Sequence, residues 1–445
     1  MFQYVLSMAV RSAASLRVRP RHAEHAHRVA EPDLDPWDGT HHHERQGTAR
    51  RILYVNPAAQ RGGGEVVIRN LAQGMRRYGY QVEVVLLARG PLAAEFRALG
   101  IRTSVLPAGR FRQKRLLLRT LWHLARLMRR RDIALVQSAG AKGHIYGGLA
   151  AALAGVPATW RLQDYPSLTH PWAYLALRVP ADGVVANAQR TLERYARLSR
   201  LPRLVDVIYP GVDLGVFPSG TPPEPASQSL REELGLPADA PLVTILGRLQ
   251  RWKGQHIFLE AAEAVSRRCP EARFLVVGDE LLGLEPEYPP LLRRLADEGE
   301  LAGRVTFTGQ RDDVRRVLAA SDVLVHASIL PEPFGQVIVE AMAQGKAVIA
   351  SAAGGPLEIV DHGRNGLLTP PGDAAALGEA IVSLLDDQEK RASLGVAARL
   401  TVEHRFTVPM MVERFAHYYD AVLRSRGGTT AETGPFSSRG RLTKP

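Results

Sequence analysis

Residues 242–254 read LVTILGRLQRWKG, an apolar run that ends in glycine and passes into a basic turn. A short apolar run bounded by turn signals is typical of a buried strand. The residues that follow, 255–266, are predicted to form a helix. This strand, turn and helix form the repeating unit of α/β folds.

The same unit opens the first half of the chain. Residues 51–55 read RILYV and predict a strand, glycines at 62–64 turn the chain, and a helix is predicted at 65–78. Further short apolar strands are predicted at 82–87, 133–137, 183–186, 274–278, 305–308, 323–325 and 347–350. Such alternation predicts parallel sheets covered by helices. The predicted fold class is therefore α/β, with two doubly wound Rossmann-like domains facing a ligand-binding cleft.

A stretch rich in proline, PSGTPPEP at residues 218–225, separates the two halves, because neither a sheet nor a helix tolerates it. The ends of the chain lack apolar periodicity and are predicted to be disordered. The predicted segments are an extension at 1–49, domains at 50–218 and 229–405, a linker at 219–228, a helix at 406–424 and a tail at 425–445.

The composition indicates a soluble protein with an anionic partner. The chain is 45% hydrophobic, which excludes wholesale disorder, and 57 Lys and Arg face 45 Asp and Glu for a net charge of +12. The single cysteine, Cys269, excludes an intramolecular disulfide and favours a reducing compartment. Basic residues follow the apolar start instead of preceding it, so no secretory signal is expected. No apolar run approaches the roughly 20 residues that a membrane span needs. A cytoplasmic protein is predicted.

The basic turn carries the first candidate site. Arg248 and Lys253 lie between a strand end and a helix start, where backbone N–H groups, the helix dipole and two cations favour a diphosphate. A solvated basic turn is the alternative interpretation.

The second candidate site is the segment PEPFGQVIVEAMA at residues 331–343. Glu332 precedes a helix that is predicted to begin near Gly335, and Glu340 lies inside it. Eight helical residues span about 12 Å, more than the roughly 5–9.5 Å between two carboxyls that flank a glycosidic bond. The spacing therefore favours the two ends of one extended ligand over an acid–base pair. A loop acid and an ordinary helix glutamate are the alternative.

Taken in order over residues 50–424, these motifs resemble family 4 glycosyltransferases. Glu332 and Glu340, with seven residues between them, match the E-x7-E motif of that family. The other matching elements are Gly247-Arg248 with Lys253-Gly254, the loops at 351–360 and 365–368, the glycines at 62–64 with Glu65, and YPGVD at 209–213.

The resemblance implies a GT-B fold and a retaining transfer from a nucleotide-diphosphate sugar to a glycan or lipid-linked acceptor, as in cell-surface polysaccharide or glycolipid synthesis. The first domain would bind the acceptor and the second the nucleotide sugar, with the helix at 406–424 crossing back to the first. Arg248 and Lys253 would hold the diphosphate and stabilise the leaving group, while Glu332 faces the donor sugar. No metal or other cofactor is implied. A nucleotide-sugar epimerase and a non-enzymatic sugar-nucleotide-binding scaffold remain the alternatives.

Further donor contacts are implied by the same resemblance. They are close backbone approach at Gly62 and Gly63, backbone N–H groups at Phe334 and Gly335, ribose binding by Glu340, and a border to the base at Gly309 and Arg311.

The acceptor side departs from the family pattern. Gln163 stands where many relatives carry a histidine near the reaction centre. The neighbouring Asp164 either positions an acceptor hydroxyl or caps a turn. His144 is another candidate for acceptor contact, with a surface histidine at a helix start as the alternative.

The most basic stretch runs from Arg110 to Arg131, with nine Lys or Arg in 22 residues. Leucines lie among these cations, at positions 116, 117, 121, 124 and 127. Basic residues with a leucine face suit an anionic membrane surface or a lipid-linked acceptor, and peripheral attachment to the inner face of the membrane would follow. The alternative is a surface helix whose leucines pack on the sheet. Nucleic-acid binding is not expected, because no recognition module accompanies the cations.

Overall fold

A computed structural model of the chain describes residues 49–60, 62–109, 113–166, 171–217, 230–280 and 283–426. The predicted linker at 219–228, and nearly all of the predicted extension at 1–49 and tail at 425–445, lie outside the described residues.

The first sheet has seven strands, and every neighbouring pair is parallel. The strands are β1 (Arg50–Asn56), β2 (Tyr80–Leu86), β3 (Arg102–Val105), β4 (Ile133–Ala139), β5 (Ala158–Leu162), β6 (Gly183–Ala186) and β7 (Leu204–Val207). Their order is β3-β2-β1-β4-β5-β6-β7, so the direction of winding reverses between β1 and β4. This reversal point is where α/β folds bind ligands.

Helices cover this sheet on both faces. They are α1 (Gly63–Gly74), α2 (Leu92–Ala98), α3 (Lys114–Arg130), α4 (Gly140–Ala154), α5 (Pro171–Ala176) and α6 (Gln189–Ala196). The last described helix of the chain, α14 (Val408–Arg426), also packs here: the hydroxyls of Tyr54 and Tyr419 lie 2.7 Å apart in the core. α14 therefore belongs structurally to the first sheet.

The second sheet has six strands, again all parallel. They are β8 (Leu242–Leu246), β9 (Arg273–Val277), β10 (Val305–Gly309), β11 (Val323–His326), β12 (Ala347–Ser351) and β13 (Leu367–Thr369). The order β10-β9-β8-β11-β12-β13 places the reversal point between β8 and β11. All residues of β11 and β12 are buried, as expected for strands covered on both faces.

The helices of the second half are α7 (Gln255–Arg268), α8 (Tyr288–Asp297), α9 (Val314–Ala320), α10 (Gln336–Ala343), α11 (Pro356–Ile359), α12 (Ala374–Leu385) and α13 (Gln388–Arg405). The predicted fold class, two doubly wound Rossmann-like sheets, is confirmed. The predicted strands agree closely in position because buried parallel strands read as apolar runs bounded by turn residues, whereas β3, β5, β7 and β13 were not predicted. None of the helices in the described ranges is both long and apolar enough to span a bilayer.

Candidate functional site

The carboxyl ends of β1 and β11, one strand at each reversal point, begin the segments that meet in the cleft. Gly62 caps the start of α1 after β1, and Gly335 caps the start of α10. A Cβ added at Gly63 would lie 3.6 Å from Cβ of Gln336. Two helix N-termini, one from each domain, therefore face each other across van der Waals distance.

Lys253 and Glu332 form the ion pair at the centre of the site. Nζ of Lys253 lies 2.6 Å from Oε2 of Glu332, and the side chains are only 19% and 14% exposed. Nζ also lies 4.2 Å from the ring centroid of Trp252, in cation–π geometry. The predicted catalytic cation and carboxylate are thus brought together by the fold.

Two residues that the sequence analysis missed complete the surroundings of Glu332. Nε2 of His326 lies 3.5 Å from Oε2, and the Ser328 hydroxyl donates to the same oxygen at 3.3 Å. Burial alone would raise the pKa of Glu332, but Lys253 and His326 lower this pKa well below the usual range. Glu332 is therefore a carboxylate at neutral pH. His326 ends a strand at the reversal point, and that position was the available signal.

Glycines hold the loop that carries Glu332. The Gly355 N–H donates to the carbonyl oxygen of Glu332 at 2.7 Å, and a Cβ at Gly354 would collide with that oxygen. Gly335 has φ +111°, in the region that favours glycine, where the chain turns into α10. The loop at 351–360, which the sequence analysis matched to the family by its motif, therefore fixes the backbone of Glu332.

Arg248 follows β8 on the same loop as Lys253, and its side chain is exposed. Among the described residues it makes no ion pair, so its guanidinium is available to a ligand. Two side chains fix the backbone of Arg248. Nε2 of Gln255 donates to the Arg248 carbonyl oxygen at 2.9 Å, and the Tyr288 hydroxyl donates to Oε1 of Gln255 at 3.3 Å.

Glu340 lies four residues into α10 and is partly buried. Burial raises the pKa of Glu340 to about 7, and a side-chain hydrogen bond with Gln336 only partly opposes this shift. The Phe334 ring points into the core, where it stacks with Tyr209 at 6.1 Å. Only the backbone of Phe334 can therefore face a ligand.

The predicted base-binding residues are less well placed. Gly309 ends β10 and its carbonyl oxygen accepts from the Gly278 N–H at 2.9 Å. The Arg311 guanidinium pairs with Glu233 at 2.8 Å and with Asp313 at 2.7 Å. Arg311 was expected to border the base, but its positive charge is already paired with these two carboxylates.

On the acceptor side, Gln163 lies against the glycine loop. A Cβ at Gly64 would lie 3.0 Å from Oε1 of Gln163, and this oxygen has no hydrogen-bond partner among the described residues. Arg161, buried beneath it, donates to the Gly64 carbonyl oxygen at 3.4 Å. Oε1 of Gln163 is therefore a buried acceptor packed against the glycine loop.

Asp164 is open to solvent in the cleft. The surrounding protein desolvates it enough to raise its pKa, an effect opposed by Arg161 and Arg248 and reinforced by Glu332. Asp164 therefore interacts electrostatically with the second domain.

His144 does not lie in the cleft, and both sequence interpretations of it are wrong. Its side chain is fully buried and its ring stacks on Trp160 with centroids 4.5 Å apart. Nδ1 contacts the Ser138 hydroxyl at 3.0 Å and Nε2 the Val179 carbonyl oxygen at 3.2 Å. Burial lowers the pKa of His144 to about 4. The reason is that this face of α4 packs into the core.

Two family models match the chain in succession. The model described as Glycosyltransferase Family 4 matches residues 61–216, and the model described as Glycosyl transferases group 1 matches residues 226–401. One match covers the glycine loop and the other the Lys253–Glu332 pair. The chain belongs to the group 1, family 4 glycosyltransferases, with their GT-B architecture.

Two proteins similar to this chain are bacterial glycosyltransferases. A D-inositol 3-phosphate glycosyltransferase of Corynebacterium urealyticum is 33% identical over 249 residues, which are 54% of this chain and 56% of that protein. The lipopolysaccharide core biosynthesis glycosyltransferase LpsE of Rhizobium meliloti is 37% identical over 177 residues, 40% of this chain and 49% of LpsE. The matched part spans about half the length of these relatives.

Among solved structures, that of Anabaena HepE in complex with UDP-glucose is similar over nearly its whole length. Its TM-score is 0.75 at 30% identity, and the match covers 83% of this chain and 99% of HepE.

Proposed function

We propose that this chain transfers a sugar, with retention, from a nucleoside-diphosphate sugar to a glycan or lipid-linked acceptor, without a metal ion. The observation that carries the proposal is the Lys253–Glu332 pair, on the loops that lead into α7 and α10, where the start of α10 faces the start of α1.

A diphosphate suits this arrangement of charges. The N-termini of α1 and α10 supply N–H groups and positive dipole ends, and both lie close together. Lys253 and Arg248 add two full positive charges. Together they neutralise the negative charge that grows on the departing diphosphate, which is the role a metal ion plays in other transferases.

The transfer step follows from these positions. The bond between the anomeric carbon and the diphosphate oxygen breaks, and its electron pair leaves with the nucleoside diphosphate. The acceptor oxygen bonds to the anomeric carbon, and its hydroxyl proton passes to an oxygen of the departing diphosphate. Glu332, ionised and adjacent, stabilises positive charge on the sugar. Asp164, which is exposed and interacts with Arg161 and Arg248, would orient the acceptor hydroxyl. Retention is inferred from family membership.

The comparisons suggest the first substrates to try. HepE binds UDP-glucose and is similar over nearly its whole length, so UDP-glucose is the first donor. A lipopolysaccharide core enzyme and an inositol phosphate enzyme among the relatives favour a glycolipid or a phosphorylated polyol as acceptor.

A two-stage experiment tests the proposal. Thermal shift with UDP, GDP and ADP identifies the nucleotide, because a ligand that binds the folded state raises Tm. Labelled nucleotide sugars are then incubated with a membrane extract, with and without EDTA. Label that enters glycan or glycolipid in both conditions supports the proposal. A C2-inverted free nucleotide sugar indicates the epimerase, and binding without turnover indicates the scaffold.

We also propose that α3 contacts an anionic membrane surface, where the chain binds its acceptor. The leucines of the predicted membrane face do not all reach the surface, because Leu121 and Leu124 are buried in the core. The exposed apolar side chains are instead Leu118, at 66%, and Trp122, at 55%. The Arg126 guanidinium lies 5.2 Å from the Trp122 ring. Exposed cations lie around these apolar side chains, at Lys114, Arg115, Arg119, Arg129 and Arg130. Apolar side chains among cations suit the headgroup region of an anionic leaflet.

A further inference from the structure

Glu358, on the second domain, holds the N-terminus of a first-domain helix. Its two carboxylate oxygens accept from the backbone N–H groups of Gln189 and Arg190, both at 2.8 Å. The Tyr209 hydroxyl donates to the same carboxylate at 3.0 Å. Three hydrogen bonds to one charged group, two of them at the positive end of α6, make this a strong contact between domains.

On the second-domain side, Glu358 is rigidly linked to Glu332. It follows Gly354 and Gly355 by a few residues, and the Gly355 N–H donates to the Glu332 carbonyl oxygen. The Tyr165 hydroxyl donates to that same oxygen at 3.4 Å, and the Thr191 hydroxyl donates to the Pro333 carbonyl oxygen at 3.2 Å. The Glu332 loop and Glu358 therefore contact the first domain as one unit.

On the first-domain side, the contact leads to the acceptor residues. Asn187 lies just before α6, and its Nδ2 donates to the backbone carbonyl oxygen of Gln163 at 3.2 Å. Tyr209 lies on the segment that leaves the first domain, and its ring stacks on Phe334. The α6 N-terminus thus connects the position of Glu358 to the position of Gln163.

We infer that Glu358 is a positioning residue, which sets the distance between the acceptor side, at Gln163 and Asp164, and the donor side, at Glu332. This inference rests on the proposed transfer for its kinetic consequence. Displacing reacting groups by about 1 Å costs up to about 100-fold in rate. Losing Glu358 should therefore reduce kcat much more than it weakens nucleotide binding, because Arg248, Lys253 and Glu340 all lie in the second domain.

The test compares Glu358→Ala and Glu358→Gln with Glu379→Gln, a matched change at an exposed second-domain glutamate that pairs with Arg268. Glutamine keeps the size but offers one acceptor oxygen to three donors, so its effect should be intermediate. In Glu358→Ala, kcat should fall by about 10- to 100-fold, while the Kd for UDP stays within about twofold of wild type. Glu379→Gln should match wild type in both.

A distance measurement separates positioning from a general loss of structure. Spin labels at the exposed positions Arg77→Cys and Arg294→Cys, in a Cys269→Ser background, report the separation of the domains. Wild type should give one narrow distance distribution and Glu358→Ala a broader one. If Glu358→Ala fails to fold, Glu358→Gln and Tyr209→Phe provide the same comparison.

An unchanged distance distribution in a folded Glu358 variant would overturn the inference, even if kcat falls. So would a broadened distribution with wild-type kcat. If wild type transfers no sugar from any donor, the proposed function fails, and the distance measurement still decides whether Glu358 fixes the domains.

Discussion

Nζ of Lys253 lies between Oε2 of Glu332, at 2.6 Å, and the indole ring of Trp252. Lys253 therefore pairs with a carboxylate whose pKa is held low. On the proposed mechanism, a donor diphosphate would compete with Glu332 for Lys253 and would leave Glu332 free to face the sugar.

The cations should matter most in the transition state. Lys253→Ala and Arg248→Ala should each reduce kcat/KM by about 10²–10³, or about 3–4 kcal/mol, because the departing diphosphate gains charge in a cleft with little water. Steady-state kinetics with the accepted donor measures this. Arg267→Ala, in an exposed ion pair with Glu263, is the control and should leave kcat/KM unchanged. Near wild-type turnover in folded Lys253→Ala and Arg248→Ala would remove the diphosphate assignment.

Glu332→Gln should act on turnover more than on donor binding. The charge on the sugar changes during reaction, so a neutral amide loses stabilisation in the transition state only. We expect kcat to fall by about 10²-fold or more, with KM for the donor within a few-fold of wild type. Circular dichroism must first show a folded variant, because Lys253 loses its partner. A variant that changes KM alone would place Glu332 in binding rather than in chemistry.

Glu340 should make nucleotide binding depend on pH. Its pKa is raised to about 7. On the proposed role of Glu340, the ribose hydroxyls would therefore meet a carboxylate only above neutrality. The Kd for UDP should therefore decrease as pH rises from 6 to 8, and this dependence should disappear in Glu340→Gln. Calorimetric titration at several pH values measures it. An equal pH dependence in both proteins would assign it to another group.

Deprotonation of Glu340 should strengthen nucleotide binding but reduce the stability of the folded chain. The native state keeps the Glu340 proton up to about pH 7, whereas the unfolded chain loses it near 4.5. The free energy of unfolding should therefore decrease as pH rises from 4.5 to 7, and less so in Glu340→Gln. Urea unfolding across that range tests the sign.

His144 should contribute to acid sensitivity. Its pKa is about 4 in the native state against 6.5 in the unfolded chain, so the unfolded state binds more protons between those values. Stability should fall as pH decreases from 6.5 to 4, by at most about 3 kcal/mol from this group. His144→Phe, which keeps a ring on Trp160, should flatten this slope. His417→Gln, at an exposed histidine, should not.

The α3 surface should bind anionic vesicles and not neutral ones, and salt should weaken the binding. The double change Arg119→Glu and Arg126→Glu, and separately Trp122→Ala, should each reduce co-sedimentation. Arg267→Glu, a charge reversal on the second domain, is the control. Equal recovery with both vesicle types would contradict the membrane proposal.

Sequence patterns were reliable wherever the chemistry is local. The strand at residues 242–246 and the basic turn after it are contiguous, so the pattern places Arg248 and Lys253 at a strand end before any tertiary contact is known. The spacing of Glu332 and Glu340 is likewise fixed by one loop and one helix. These features predict the α/β fold and the donor side of the candidate site.

The tertiary structure decided what depends on which faces pack together. His144 opens a helix and reads equally well as a surface or a cleft residue, and only the packing of α4 on Trp160 buries it. His326 and Glu358 are ordinary in the sequence. They gain their contacts with Glu332 and with α6 because parallel strands bring distant loops to one edge, and because two separately wound domains meet there. A local sequence pattern contains no information about those long-range contacts. The pattern alone therefore determined the fold and the donor motif, and tertiary packing determined which residues surround that motif.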